Sequence, residues 1–181
     1  MEKGFVLWFT GLPGSGKTTI GSRVYEILKK NGFRVEMLDG DEVRKWLSPE
    51  AGFTREDRER HLRRVIYISK LLSRNDVIVI ATFVSPYRSI REEARRNIEN
   101  FIEIYVKCSI DTAIKRDPKG LYKRALKGEI KHMTGIDDPY EEPLSPEIVI
   151  DTEKLTVDES VNLVFDKLND MGLIKKDELI F

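Results

Sequence analysis

The stretch FVLWFTGLPGSGKT, Phe5 to Thr18, constrains this chain more than any other. Its apolar start, Phe5 to Thr10, reads as a strand buried on both faces. It runs directly into Gly11, Leu12, Pro13, Gly14, Ser15, Gly16, Lys17 and Thr18, the pattern G-x-x-x-x-G-K-[ST]. Next comes an amphipathic helix from about Thr18 to Lys30, with Ile20, Val24, Ile27 and Leu28 on one face. Glycines let the backbone turn tightly, so successive N–H groups point at phosphate oxygens, and the helix N-terminus adds positive potential. Lys17 can reach the β- and γ-phosphates, and the Thr18 hydroxyl can ligate Mg²⁺. A strand before and a helix after separate this pattern from a chance glycine turn. The chain therefore carries a site for a nucleoside triphosphate, lined from Gly11 to Thr19.

The rest of the chain repeats the alternation of short apolar runs with longer helical patterns. Further strands are expected at Arg34–Leu38, Val77–Phe83, Phe101–Val106 and Glu147–Asp151. Helices are expected from Thr54 to about Arg74, from about Ser89, and from Val157 to Met171. The prediction is an α/β, three-layer P-loop kinase fold: a mostly parallel five-stranded sheet flanked by helices, one domain over residues 1–181. Lys+Arg 31 balances Asp+Glu 31, so no chain-wide attraction to nucleic acid or a membrane is implied. No apolar run is long enough to span a bilayer, and the N-terminus lacks a signal-peptide pattern. The single cysteine, Cys108, reads as a buried strand-end thiol and suits a cytoplasmic protein.

Hydrolytic P-loop motors usually end a later apolar strand in an acid, but VIVIATFV ends without one. The acids instead close the second strand, as Asp39-Gly40-Asp41. That segment also suits a turn capping a short helix. Because the strand's C-terminal end opens onto the same crevice as the phosphate loop, the acceptor side of a small-molecule kinase is the favoured reading. A carboxylate there can accept the proton of an acceptor hydroxyl or help hold a metal.

Taken in order, KGFVLWFTGLPGSGKTT, LDGDEVR, GFTREDRERHLRRV, FVSPYR, RDPKGLYKRALKGEI and TGIDDPYEEP resemble the adenylylsulfate kinase family over nearly the whole chain. The resemblance implies transfer of the γ-phosphoryl of ATP to the 3′-hydroxyl of adenosine 5′-phosphosulfate in sulfate assimilation, with Mg²⁺. It implies Asp41 as the acceptor-side carboxylate, and Thr18, Asp39 and Asp41 around the metal. Arg44 and Arg58 match arginines that hold the phosphosulfate, and Phe53 matches an aromatic that stacks on the acceptor base. Val84 and Ser85 match the loop that grips the acceptor. Ser85 takes the place of a serine described as carrying a phosphoryl group, although direct in-line transfer needs no such step. His61 replaces an asparagine of that family, Met133 a phenylalanine and Pro13 a serine. Arg55, Arg60 and Arg64 read as a solvated helix face, and Arg63 fits either role. The resemblance further implies a homodimer, a functional partnership with ATP sulfurylase, and no counterpart to the segment that precedes the first strand in many members.

The segment Arg116 to Pro143 has too many glycines and prolines for one helix and too many charges for a strand. A kinase must exclude water from the transferring group, so a lid over about 116–143 is expected. Gly120, Gly128 and Gly135 supply hinges, and LYKRALKGEI a short helix. On the same resemblance, Arg116 would lie near the ATP base, Lys119 near the transferring phosphoryl, and Lys131, Met133, Thr134, Gly135 and Ile136 over the acceptor. Three rivals stand beside this reading: another small-molecule kinase, a non-catalytic nucleotide-sensing domain, and a nucleic-acid 5′-kinase. Intact Lys17, Thr18 and Asp41 weigh against the second, and the neutral charge against the third.

Overall fold

A computed structural model describes residues 4–181. Five strands, β1 (Val6–Thr10), β2 (Val35–Asp39), β3 (Ile78–Thr82), β4 (Phe101–Lys107) and β5 (Ile148–Asp151), form one sheet in the order β2-β3-β1-β4-β5. Every pairing is parallel. A parallel sheet needs cover on both faces. It comes from α1 (Lys17–Lys30), α2 (Gly40–Leu47), α3 (Arg55–Ser73), α4 (Arg88–Asn97), α5 (Ile110–Arg116), α6 (Leu121–Leu126) and α7 (Val157–Asp170).

The period-2 alternation of the strands sorts their side chains into two cores. Phe5, Leu7 and Phe9 join Ile78, Ile80, Ile102 and Ile104 under α1 and α7, where Ile20, Val24, Leu28, Val164 and Phe165 close the layer. Val6, Trp8, Val79 and Ala81 face the other way, against Leu62, Val65 and Ile66 of α3 and Ile90 and Ala94 of α4. Trp8 stacks on Phe83 at 5.7 Å and meets Phe101 at 5.9 Å. Glu103 of β4 points to the same α4 side, where a buried arginine, Arg91, meets it.

The expected strands and long helices are all present, with ends shifted by a residue or two. The Thr54 hydroxyl caps α3 by accepting from the Asp57 N–H. Asp39 caps α2, so the turn-and-cap reading of Asp39-Gly40-Asp41 holds locally. The helix expected over LYKRALKGEI stops at Leu126, because Gly128 (φ 75°) takes a left-handed conformation. A short 3₁₀ turn at Lys176–Glu178 had no sequence signal. Among the described residues, no helix is long and apolar enough to cross a membrane.

Candidate active site

β1 delivers the chain to the sheet's C-terminal edge, and Gly11 turns it into the phosphate loop. Gly11 (φ 153°) has no room for a side chain: a Cβ there would stand 2.3 Å from the Val106 carbonyl oxygen. Lys17 opens α1 and is buried. Its Nζ donates to the carbonyls of Gly11 (2.9 Å) and Leu12 (2.8 Å) and faces Ser15 Oγ at 3.4 Å. Burial pushes the Lys17 ammonium down to about 7. The Tyr122 hydroxyl of α6 donates to the Pro13 carbonyl at 2.8 Å, tying the segment 116–143 to the loop. Arg116 reaches Thr152 Oγ1 and O, both at 2.8 Å, while Thr152 Oγ1 lies 3.1 Å from the Ser15 carbonyl. Thr19 follows on the exposed side of α1.

Beside the loop, Thr18 Oγ1 donates to Asp39 Oδ2 at 3.0 Å, and Thr82 Oγ1 donates to the same oxygen at 3.2 Å. The other Asp39 oxygen accepts the Asp41 N–H at 3.1 Å. A hydroxyl and a carboxylate at one corner are hard donors of the kind Mg²⁺ takes. Among the described residues no group of three His, Cys, Asp or Glu side chains forms a cage. Such a corner fits a cation that completes its shell with phosphate and water oxygens. Asp41 itself is exposed and ion-paired with Lys119, which reaches across from the start of α6.

The acceptor-side residues gather around Phe53, which is 54% exposed. The Arg44 guanidinium lies 4.4 Å from its ring and Arg58 5.5 Å. Arg44 donates to the carbonyls of Ala51 (3.1 Å) and Gly52. Arg58 donates to Phe53 O at 2.9 Å and, across to the segment 116–143, to His132 O at 2.6 Å. Burial holds both guanidinium groups below the usual arginine range.

His61 is only 3% exposed, with Nδ1 2.9 Å from Ser48 Oγ. Its Nε2 has no hydrogen-bond partner. Burial, reinforced by Arg44 and Arg64, pushes the imidazole down to about 4, so the ring is neutral. Ser85 is also buried, and its Oγ accepts from Trp8 Nε1 at 3.1 Å. Val84 offers its carbonyl to Thr10 Oγ1 at 2.8 Å. Met133 packs into the small core of Cys108, Ala113, Tyr122 and Ala125. Thr134 is buried with Oγ1 unpartnered, Gly135 (φ 91°) turns the chain, and Lys131 and Ile136 are exposed or nearly so.

The phosphate loop is thus linked through Thr18 and Asp39 to the Asp41–Lys119 pair, and Arg44 and Arg58 flank the Phe53 ring. The sequence pattern of the adenylylsulphate kinase family matches residues 3–151. The chain belongs to the adenylylsulphate kinase family. A probable adenylyl-sulfate kinase of Aeropyrum pernix is 56% identical over 169 residues, covering 91% of this chain and 92% of that protein. One from Pyrococcus abyssi is 48% identical over 172 residues, covering 95% and 99%. The APS kinase of Mycobacterium tuberculosis, solved in complex with AMPPNP and APS, superimposes with a TM-score of 0.89 at 36% identity, over 93% of this chain and 99% of that one.

Within this adenylylsulphate kinase frame, sequence reasoning missed Thr82, Thr152 and Tyr140. Thr82 ends β3 with a hydroxyl on Asp39, where a carboxylate was sought and found absent. Thr152 follows β5 directly, and strand ends in such sheets face the crevice, which was the available signal. Tyr140 shares a hydrogen bond of 2.9 Å with Thr10, 130 residues away, and no local pattern announces that pairing.

Proposed function

We propose that this chain transfers the γ-phosphoryl group of ATP to the 3′-hydroxyl of adenosine 5′-phosphosulfate, giving 3′-phosphoadenylylsulfate and ADP. One observation carries the reading. Asp41 and Lys119 meet at the mouth of the phosphate crevice, with Arg44, Phe53 and Arg58 on the acceptor side of it. Phosphoryl transfer passes through a loose transition state, so it asks for alignment and charge neutralisation rather than covalent chemistry.

In this reading Gly11 to Thr19 and Arg116 hold ATP, and Lys17 and Lys119 neutralise charge on the transferring group. Asp41 orients the acceptor hydroxyl and accepts its proton. Thr18 and Asp39, with Asp41 beside them, hold Mg²⁺, which when bound supplies positive charge at the β- and γ-phosphate oxygens. Arg44 and Arg58 hold the phosphosulfate as planar forks, and Phe53 stacks on the adenine. His61, Val84, Ser85, Lys131, Thr134, Gly135 and Ile136 complete that pocket, with Met133 behind them in the lid core. Ser85 acts through its loop backbone, since its hydroxyl is buried against Trp8. Residues 1–181 act as one domain and 116–143 as its lid.

A homodimer in the cytoplasm completes the proposal. The dimer is supported by the apolar surface of Trp46, 81% exposed on α2, and of Tyr67, 61% exposed on α3, and the cytoplasm by the single buried thiol of Cys108. ATP sulfurylase is the functional partner that would supply the acceptor. The test is an acceptor screen with Mg-ATP, comparing adenosine 5′-phosphosulfate with AMP, nucleosides and sugars while ADP release is followed. Preference for adenosine 5′-phosphosulfate at micromolar concentration is expected, and equal turnover of AMP or a sugar would reject it.

A further inference from the structure

We infer that Arg91, which touches neither substrate, is a positioning residue that welds the acceptor loop to the returning arm of the lid. The inference rests on the acceptor-side reading above. Arg91 lies in the polar helix α4, yet it is only 2% exposed. Its guanidinium spends each nitrogen on a different segment. Nε donates to Glu103 Oε1 of β4 at 2.9 Å. Nη1 donates to the Ser85 carbonyl of the acceptor loop, and Nη2 to the Glu141 carbonyl of the lid arm, both at 2.5 Å.

Other contacts run through the same knot. The Arg91 guanidinium lies 5.7 Å from the Tyr140 ring, whose hydroxyl is 2.9 Å from Thr10 Oγ1 at the end of β1. Thr10 in turn donates to Val84 O. The Glu141 N–H donates to the Pro86 carbonyl at 2.8 Å. Thus loop 84–86 and lid arm 138–142 meet on one cation, and Thr10 at the end of β1 is tied to both through Val84 and Tyr140. Ser85 has φ 39°, a left-handed conformation that a non-glycine residue keeps only when its surroundings impose it.

A fold-only role for the pair is poorly served by this chemistry. A buried ion pair is a weak stabiliser, and apolar side chains of similar volume would hold α4 on the sheet equally well. An apolar side chain could not hold two backbone carbonyls from segments as distant in the chain as Ser85 and Glu141. A planar fork with several donors can. Arg91 therefore sets where the acceptor loop and lid arm stand relative to the phosphate loop.

The test is the double variant Arg91→Met with Glu103→Leu, which removes both buried charges together, and Arg91→Lys, which keeps a charge against Glu103 without the fork. KM for each substrate, kcat, and amide hydrogen exchange of the free enzyme are measured. The expected result is an acceptor KM raised about tenfold or more, with the ATP KM within about twofold of the parent. Exchange should speed up in 84–88 and 138–142 and stay unchanged in the phosphate loop. Should the double variant fail to fold, Arg91→Lys carries the same test. Equal shifts in both KM values, no shift in either, or unchanged exchange in both segments would overturn the inference. The exchange arm involves no acceptor, so its outcome separates failure of this inference from failure of the proposed reaction.

Discussion

The ammonium group of Lys119 is paired with the carboxylate of Asp41, although 78 residues separate them in the chain. Both side chains are largely exposed, so the pair says little about stability. Its meaning is positional. It brings the start of the lid to the end of β2, at the place where a γ-phosphoryl group and an acceptor hydroxyl would have to meet. In the proposed reaction, Lys119 could leave Asp41 and turn to the transferring oxygens with a change of side-chain rotamers alone.

Asp41→Ala should cut kcat for phosphoryl transfer about a thousandfold, the range expected for loss of a positioned base. ATP binding should change little, because the phosphate loop is built from Gly11 to Thr18 and Lys17 makes its hydrogen bonds within that loop, none to the Asp41 side chain. Steady-state kinetics with adenosine 5′-phosphosulfate and titration with a fluorescent ATP analogue check the two halves. Near-normal turnover would remove Asp41 from the chemistry.

ATP binding should take up a proton at alkaline pH. Burial leaves the Lys17 ammonium at about 7 in the free protein, against 10.5 in water. Phosphate oxygens beside it raise that value again, so a proton enters wherever pH lies between the free and bound values. Uptake should approach about one proton near pH 8.5 and fall toward zero near pH 6. Calorimetry in buffers of different ionisation enthalpy measures it, and Lys17→Ala should abolish the uptake together with most of the affinity.

His61 should make the protein acid-sensitive. Burial holds the imidazole at about 4 in the native state, below the 6.5 of an unfolded histidine. Between those values the unfolded chain binds a proton that the native protein refuses, so stability is full above the window and declines as pH falls through it. From pH 7 to about pH 4.5 the parent should lose about 2 kcal/mol relative to His61→Asn. Urea unfolding at each pH gives the two curves. Parallel curves would mean that the imidazole is protonated in place.

Gly11 and Gly32 offer a paired test of backbone geometry. Gly11→Ala forces a Cβ to within 2.3 Å of the Val106 carbonyl, and it should cost about 3 kcal/mol or more and abolish ATP binding. Gly32 (φ 82°) faces open space, so Gly32→Ala should cost only about 1 kcal/mol and leave ATP binding intact. Thermal melts and ATP titration of both variants decide it.

Much of this was legible in the chain. FVLWFT and VIVIATF are apolar on both alternating faces, as is FIEIYV but for Glu103, and only a sheet covered on two sides accommodates that. GLPGSGKT between a strand and a helix has one geometry that suits it, and Asp39 and Asp41 lay at a strand end where such sheets open. Met133 was harder. Only the family resemblance, in which it takes the place of a phenylalanine, put it over the acceptor, and that could not tell that its thioether also packs with Tyr122 and Ala125 in the lid's own core. A side chain's direction depends on what packs around it, and spacing along the chain carries no record of that. Arg91 was invisible for the same reason: one charge among seven polar or charged neighbours in RSIREEARRN looks solvated.

By itself the sequence determined the strand order's raw material, the phosphate loop and the acids at the end of β2, because these rest on local backbone chemistry and periodic burial. Tertiary structure alone decided that Thr82 joins Thr18 on Asp39, that Arg58 reaches His132, and that Lys119 meets Asp41. Those contacts join residues far apart in the chain. They exist only once the parallel sheet has brought its strand ends to one edge and packed the segment 116–143 over it.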